Sequence, residues 1–374
     1  MPGPIAPIPS PRTWASGPIL APSLRADVSD AVAFLTYRPL GIFANQSGTS
    51  FNNGADNSLS CPVEFYDNWN GHNGASPSQY FAQAPGWYLC KSIVPFVYSG
   101  ATQFMFRAGF TGTVNGTTMP VTAGPLQENA STHFPAPVCC DLIEQTVTGP
   151  IGGTGDYIQP TAFNGTTGAI ALQNTTNTYP YFSVRWVALN TGTTGLPVPA
   201  NPAWVSPPSF VTSAFLNANI RDTIRFLLYP PIAKAIYTPG STTLPSSTFP
   251  AGTVINLTTV TVDNYGGITT GASGGYTAPV TGNYFVYGQF NLGANSAGGS
   301  YGAGLSVAGG TTMWGDVVAK SSDTAGCGVS VGRRLRLTAG QQVQLIGTQN
   351  TGAAIAYDGA AVGQTRLIAV WEGA

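Results

Sequence analysis

Along most of the chain, hydrophobic and polar residues alternate in short runs broken by Gly, Asn and Pro. Val254-Ile255-Asn256-Leu257-Thr258-Thr259-Val260-Thr261-Val262 and Arg334-Leu335-Arg336-Leu337 are the clearest of these runs. Alternation puts the apolar side chains on one face of a pleated strand, and breakers at close intervals predict many short strands. One stretch departs from this. In 204–231, Leu216, Ile220, Ile224 and Leu227 recur along one stripe of a helix about three to four turns long. Ser213 stands where an N-cap would be, and Pro230 and Pro231 cannot continue the helix. So short a helix needs a surface to pack on, either its own sandwich or the same helix in neighbouring copies. No helix-period segment separates the strands as a parallel sheet would require, so the expected fold is mainly β and antiparallel.

The helical stretch has a counterpart. Residues 14–39 begin at Trp14 and end at Arg38-Pro39, as 204–231 begin at Trp204 and end at Pro230-Pro231. Asp30, Phe34 and Leu35 answer to Asp222, Phe226 and Leu227. The repeat continues through Phe65-Tyr66-Asp67-Asn68 against Val262-Asp263-Asn264-Tyr265, and Tyr80 to Leu89 against Tyr276 to Val286. Gly155-Asp156-Tyr157 then answers to Gly340-Gln341-Gln342, and Tyr181 to Val187 to Arg366 to Trp371. Landmarks kept in one order predict a duplicated unit, a short amphipathic helix followed by a β-sandwich. The expected division is a Pro-rich arm at 1–13, a helical segment at 14–43, a sandwich at 44–192, a linker with the second helical segment at 193–235, and a second sandwich at 236–374. In the first sandwich, Pro160 is expected to end its strand early.

Composition narrows what such a protein does. Charged residues make up 8% of the chain, with Gly at 47 and Pro at 30, while hydrophobic residues reach 43%. Thr, Asn, Ser and Gln must therefore keep the surface wet, and enough apolar material remains for real cores. A net charge of -1 gives no overall attraction to nucleic acid or to an anionic membrane, and no apolar run approaches a membrane span. The N-terminus lacks the basic and apolar regions of a secretory signal, so synthesis in a host cytoplasm is expected.

No residue pattern builds a catalytic, cofactor or metal site. His72 and His133 sit in loop-like sequence without a second candidate group nearby. In Cys139-Cys140-Asp141 the two thiols point to opposite faces of a strand, one into the core and one to a surface or interface. Cys61 and Cys90 leave a disulfide open. Asp67, Asp156 and Asp263 occupy turn positions where Asp caps its own backbone, calcium ligation being the alternative. Gly152-Gly153-Thr154-Gly155, Gly271-Ala272-Ser273-Gly274-Gly275 and Gly298-Gly299-Ser300-Tyr301-Gly302 lack the Lys of a phosphate loop and read as sandwich loops. Trp69, Tyr80 and Trp314 are the candidate aromatic platforms for surface recognition.

Tyr276-Thr277-Ala278-Pro279-Val280-Thr281-Gly282-Asn283-Tyr284-Phe285-Val286, a later Gly-Gln and the final Trp-bearing strand resemble the C1q and tumour-necrosis-factor-like jelly roll. The Trp, Leu-Asn, Arg-Asp, Phe-Leu and Pro-Pro elements of 204–231 are similar to a short segment found in minor tail proteins of actinobacterial phages. Together these resemblances imply a non-enzymatic virion protein, a minor tail or tail-fibre component. An exterior capsid decoration or head fibre is the alternative, and a tail-associated polysaccharide depolymerase a third. The partners implied are two further copies in a homotrimer, other virion proteins docked through the 1–13 arm or the helices, and a host cell-surface glycan. Nucleic acid, membrane insertion and cofactors are not expected.

Overall fold

The alternating runs pair as antiparallel strands throughout the chain. The structure, a computed structural model, describes residues 28–46, 50–51, 54–96, 105–114, 117–124, 127–128, 137–146, 155–165, 170–172, 179–190, 216–238, 243–247, 249–292, 298–307, 310, 312–320, 327–357 and 365–374. The Pro-rich arm, Trp14, Trp204, Ser213 and His133 lie outside them. A helix α1 (Asp30–Thr36) leads into β1 (Leu40–Ala44), β2 (Val63–Asp67), β3 (Gly86–Ile93), β4 (Met105–Val114), β5 (Thr117–Ala123), β6 (Val138–Gln145), β7 (Tyr157–Asn164) and β8 (Tyr181–Ala188). After α2 (Asp222–Leu228) come β9 (Ile232–Ile236), β10 (Thr259–Asp263), β11 (Gly282–Leu292), β12 (Gly299–Val307), β13 (Met313–Lys320), β14 (Cys327–Leu337), β15 (Gln342–Gln349) and β16 (Arg366–Gly373).

One sheet of the N-terminal half runs β6-β3-β8-β1-β2, and the other is built on β7-β4-β5. The C-terminal half repeats both orders, as β14-β11-β16-β9-β10 and β15-β12-β13. Each strand therefore matches the one eight labels later. The chain crosses repeatedly between paired antiparallel sheets, an arrangement consistent with a jelly roll. Even the irregularities recur: the β1–β2 register slips between Ile42 and Phe43, and the β9–β10 register between Lys234 and Ala235. Inside each half, aromatic side chains dominate the core, with Phe43, Tyr88, Phe110 and Trp186 in the first and Tyr237, Tyr284, Phe290 and Tyr301 in the second.

An Asp-Asn pair pins the entry of each half. Asn68 accepts from Leu40 N at 2.8 Å and donates to Arg38 O at 2.7 Å. Asn264 does the same for Ile232 N at 2.9 Å and Pro230 O at 2.7 Å. The preceding Asp67 caps the Trp69 and His72 amides, and Asp263 caps those of Tyr265 and Ile268. Asp156 differs: it accepts from Thr146 N at 3.0 Å, ten residues back along the chain, so capping of the local turn accounts for Asp67 and Asp263 and not for Asp156.

The helices plug their own chain. Phe34 of α1 stands edge-on to Trp186 at 4.9 Å and to Trp69 at 5.7 Å. Phe226 of α2 meets Trp371 at 5.1 Å and Tyr265 at 6.0 Å in the same way. Edge-to-face pairs of this kind contribute about 0.5–1.5 kcal/mol beyond the area they bury. The π-turn Asn217–Arg221 ahead of α2 adds a residue to one turn and shifts the stripe. Ile220, Ile224 and Leu228 then face the N-terminal core, whereas Leu227, expected on that stripe, is only half-buried.

Other expectations need correction. The first strand of each half starts before the expected sandwich boundaries of 44 and 236, at Leu40 and Ile232. Pro160 does not end its strand: β7 continues to Asn164 with Pro160 opposite Phe110. Its carbonyl accepts from Leu59 N, so its missing N–H also faces that side, where the neighbouring short strand Asp56–Ser58 has already ended. Gly299, Ser300, Tyr301 and Gly302 form the start of β12 and not a loop. A Cβ at Gly304 would press on Thr312 at 2.5 Å and one at Gly302 on Thr348 at 3.0 Å, so packing across the strand favours glycine there.

Gly86 and Gly282 hold equivalent places beneath the closing tryptophans. A Cβ at Gly86, where φ is +140, would lie 2.3 Å from Ala188 O and 2.6 Å from Trp186 Nε1. Gly86→Ala should lower stability by about 1–3 kcal/mol in denaturant unfolding. Gly74→Ala, with nothing within 4 Å, should stay within about 0.5 kcal/mol of the parent.

Candidate functional site

The two halves meet through an apolar contact between their β6-to-β2 and β14-to-β10 sheets. Trp87, Cys140, Leu142 and Val187 come from the N-terminal half, and Ile232, Tyr287, Ile368 and Val370 from the C-terminal half. Alternation explains it: β6 sends Cys139 into its own core and Cys140 into the junction, as expected for adjacent strand residues. The contact is edge on face, since β6 is the outer strand of its sheet while β16 and β9 lie inside theirs.

Charges are buried within this junction. Asp141 on β6 accepts from Lys234 of β9 at 2.5 Å and faces Arg366 of β16 at 3.3 Å. Arg366 also donates to Gln289 at 3.0 Å and to the Cys139 sulfur at 3.1 Å, and Tyr287 donates to Gln289 at 2.9 Å. Burial by itself would raise the Asp141 carboxyl, but Lys234 and Arg366 outweigh it and hold it below its ordinary value. Burial likewise pulls on Arg366, yet Asp141 keeps its guanidinium protonated more firmly than usual.

Beside the junction a groove of about 420 Å³ opens between the two halves. Lys91 and Arg185 from β3 and β8 line one wall, Arg333 and Arg334 from β14 the other. Glu372 bridges the walls, 2.6 Å from Arg185 and 2.8 Å from Arg334. Arg333 donates to Trp314 O at 2.9 Å. Tyr181 and Phe285 add aromatic surface. This groove was not legible in the sequence, because its charges lie on four strands, β3, β8, β14 and β16, that only the fold brings together.

Of the three aromatic platforms expected, two are core residues. Tyr80 is wholly buried between Phe43 and Tyr88, and Trp69 is 5% exposed, its indole donating to Tyr37 O beneath α1. Neither can meet a ligand, because each pins a helix or strand that the fold requires. Trp314 stays half-buried and tilts against the exposed Phe249 at 4.9 Å. His72 stacks on Phe43 at 4.4 Å, and its Nδ1 lies 3.7 Å from Glu64. Cys61 and Cys90 are free buried thiols and form no bridge. Among the described residues no group of three His, Cys, Asp or Glu could hold a metal ion, and no helix is long and apolar enough to cross a membrane.

No family model matches the chain, and no curated protein matches it. Among solved structures it is similar to the globular domain of zebrafish complement 1qA protein, at 12% identity over 38% of this chain and 96% of that chain, with a TM-score of 0.27. At that score the likeness carries no argument, and the architecture rests on the strand pairing itself.

Asp141→Asn leaves two buried cations against a neutral amide and should cost about 3–5 kcal/mol. Because the Asp141 pKa is depressed on folding, its stabilisation is complete above about pH 4 and is lost as pH falls through the folded value. The gap between parent and variant melting temperatures should therefore hold from neutral pH to pH 5 and close only in stronger acid. Burial raises the Cys61 thiol to about 12 and Cys139 to about 11. Maleimide at pH 7 should leave both unlabelled until denaturant is added, as peptide mass mapping would show.

Proposed function

We propose that the chain is a non-enzymatic structural component of a bacteriophage virion, a minor tail or tail-fibre protein that contacts the host surface. In this reading it comprises two tandem jelly-roll domains of the C1q and tumour-necrosis-factor type, each entered through a short amphipathic helix, and it assembles as a homotrimer. The observation that carries it is the buried junction. Two equal units share a dry contact with ion pairs inside, so each fixes the orientation of the other, as a rigid particle component requires. The Phe34 and Phe226 contacts support it too, since the segment similar to phage tail proteins is an integral plug of each half. Phe65 and Tyr66 on β2 and Val260 on β10 are 49%, 46% and 41% exposed, apolar surface suited to further copies.

Light scattering on the purified chain should give three copies per particle, and a monomer would reject the trimer. Gold-labelled antibody should decorate virion tails. Label on capsids would instead establish the head-decoration role.

A further inference from the structure

The duplication exposes a difference between what the halves use and what they leave open. In the junction, the β6–β3 edge of the N-terminal half lies on the β9–β16 face of the C-terminal half. Each half also carries the other partner's surface: β14–β11 is the equivalent edge, and β1–β8 the equivalent face. Both open counterparts line the groove. Strand registers fix the matching. Where the buried contact has Leu142 on its edge, the open edge has Arg334; where the buried face has Val370 and Tyr287, the open face has Arg185 and Lys91.

Apolar residues in one copy are thus cations in the other. A further copy of the chain seated there as in the junction would set Arg334 against Arg185 and Lys91, like charges in a contact that excludes water. Four cations face one carboxylate in the groove, in a chain with only 14 Lys and Arg in all. A concave surface with an excess of positive charge concentrates its field on whatever enters. The floor is different: Leu40, Ile42, Tyr181 and Phe285 offer aliphatic and aromatic surface between the cations. We propose that this groove binds an acidic saccharide, its sugar faces on the apolar floor and its carboxylate or phosphate groups on Lys91, Arg185, Arg333 and Arg334. A volume of about 420 Å³ suits one or two sugar units and not a nucleic-acid duplex. A chain net charge of -1 gives no overall attraction for a polynucleotide.

The inference rests on the reading of the chain as a surface-binding protein, but saccharide binding and virion location are measured separately, so either can fail alone. Titration calorimetry on the full chain would use tri-galacturonate for the carboxylate source, mannose 6-phosphate for the phosphate source, maltotriose as the neutral analogue and a short oligothymidylate. Binding of at least one acidic sugar, weakened by added salt, with none of maltotriose, is expected. Lys91→Gln with Arg333→Gln should weaken it at least tenfold, while Arg225→Gln on α2 should leave it unchanged. The proposal is overturned if neither acidic sugar binds, if maltotriose binds equally, if oligothymidylate binds more tightly, or if the double variant, folded by its melting curve, binds like the parent.

Discussion

Asp141, clasped between Lys234 and Arg366, is the contact on which the arrangement of the two halves depends. It lies on the outer strand β6, where it can be reached from the neighbouring half, and both cations come from inner strands of that half. Stripping water from three charges is expensive, and only their mutual pairing, with Gln289 and the Leu142 carbonyl taking further donors, offsets the cost. The requirement for pairing is what gives the network its specificity. Slipping β6, β9 or β16 by one residue within its own sheet would turn its charged group to the opposite face and leave the network unpaired.

Around that contact the rest follows. The apolar rim of Trp87, Leu142, Ile232 and Val370 excludes solvent from the network. Helix α2 ties the junction from a second side, with Ile224 and Leu228 in the N-terminal core and Phe226 on Trp371 of the C-terminal half. One short helix therefore belongs to both halves. This is why its apolar residues surround more of its circumference than a single stripe would: Ile224 and Leu228 face one half and Phe226 the other.

Much of the fold was legible because it depends on local order. Alternation, turn residues and the repeated Asp-Asn landmark are properties of neighbouring residues, and among the described residues Asn68 and Asn264 hold equivalent places at the strand entries, as Gly86 and Gly282 do under a tryptophan. The aromatic platforms were misread for the opposite reason. Whether Trp69 and Tyr80 face solvent depends on α1 and β1 lying over them, and nothing local to either residue records that. Strand parity put one of Cys139 and Cys140 in the core and the other at a surface or interface, but that Cys140 is the outward one, and that it meets the other half, required the partner sheet.

By itself, then, the sequence determined the repeat, the mainly antiparallel strands and the capping roles of Asp67 and Asp263, all set by interactions within a few residues or by a period along the chain. Tertiary structure alone decided that Asp141 meets Arg366 across 225 positions, and that Lys91, Arg185, Arg333 and Arg334 share one groove. Charge pairing and groove formation depend on distance in space. Strand order brings those residues together, and the pattern of hydrophobic and polar positions does not encode which edge will lie on which face.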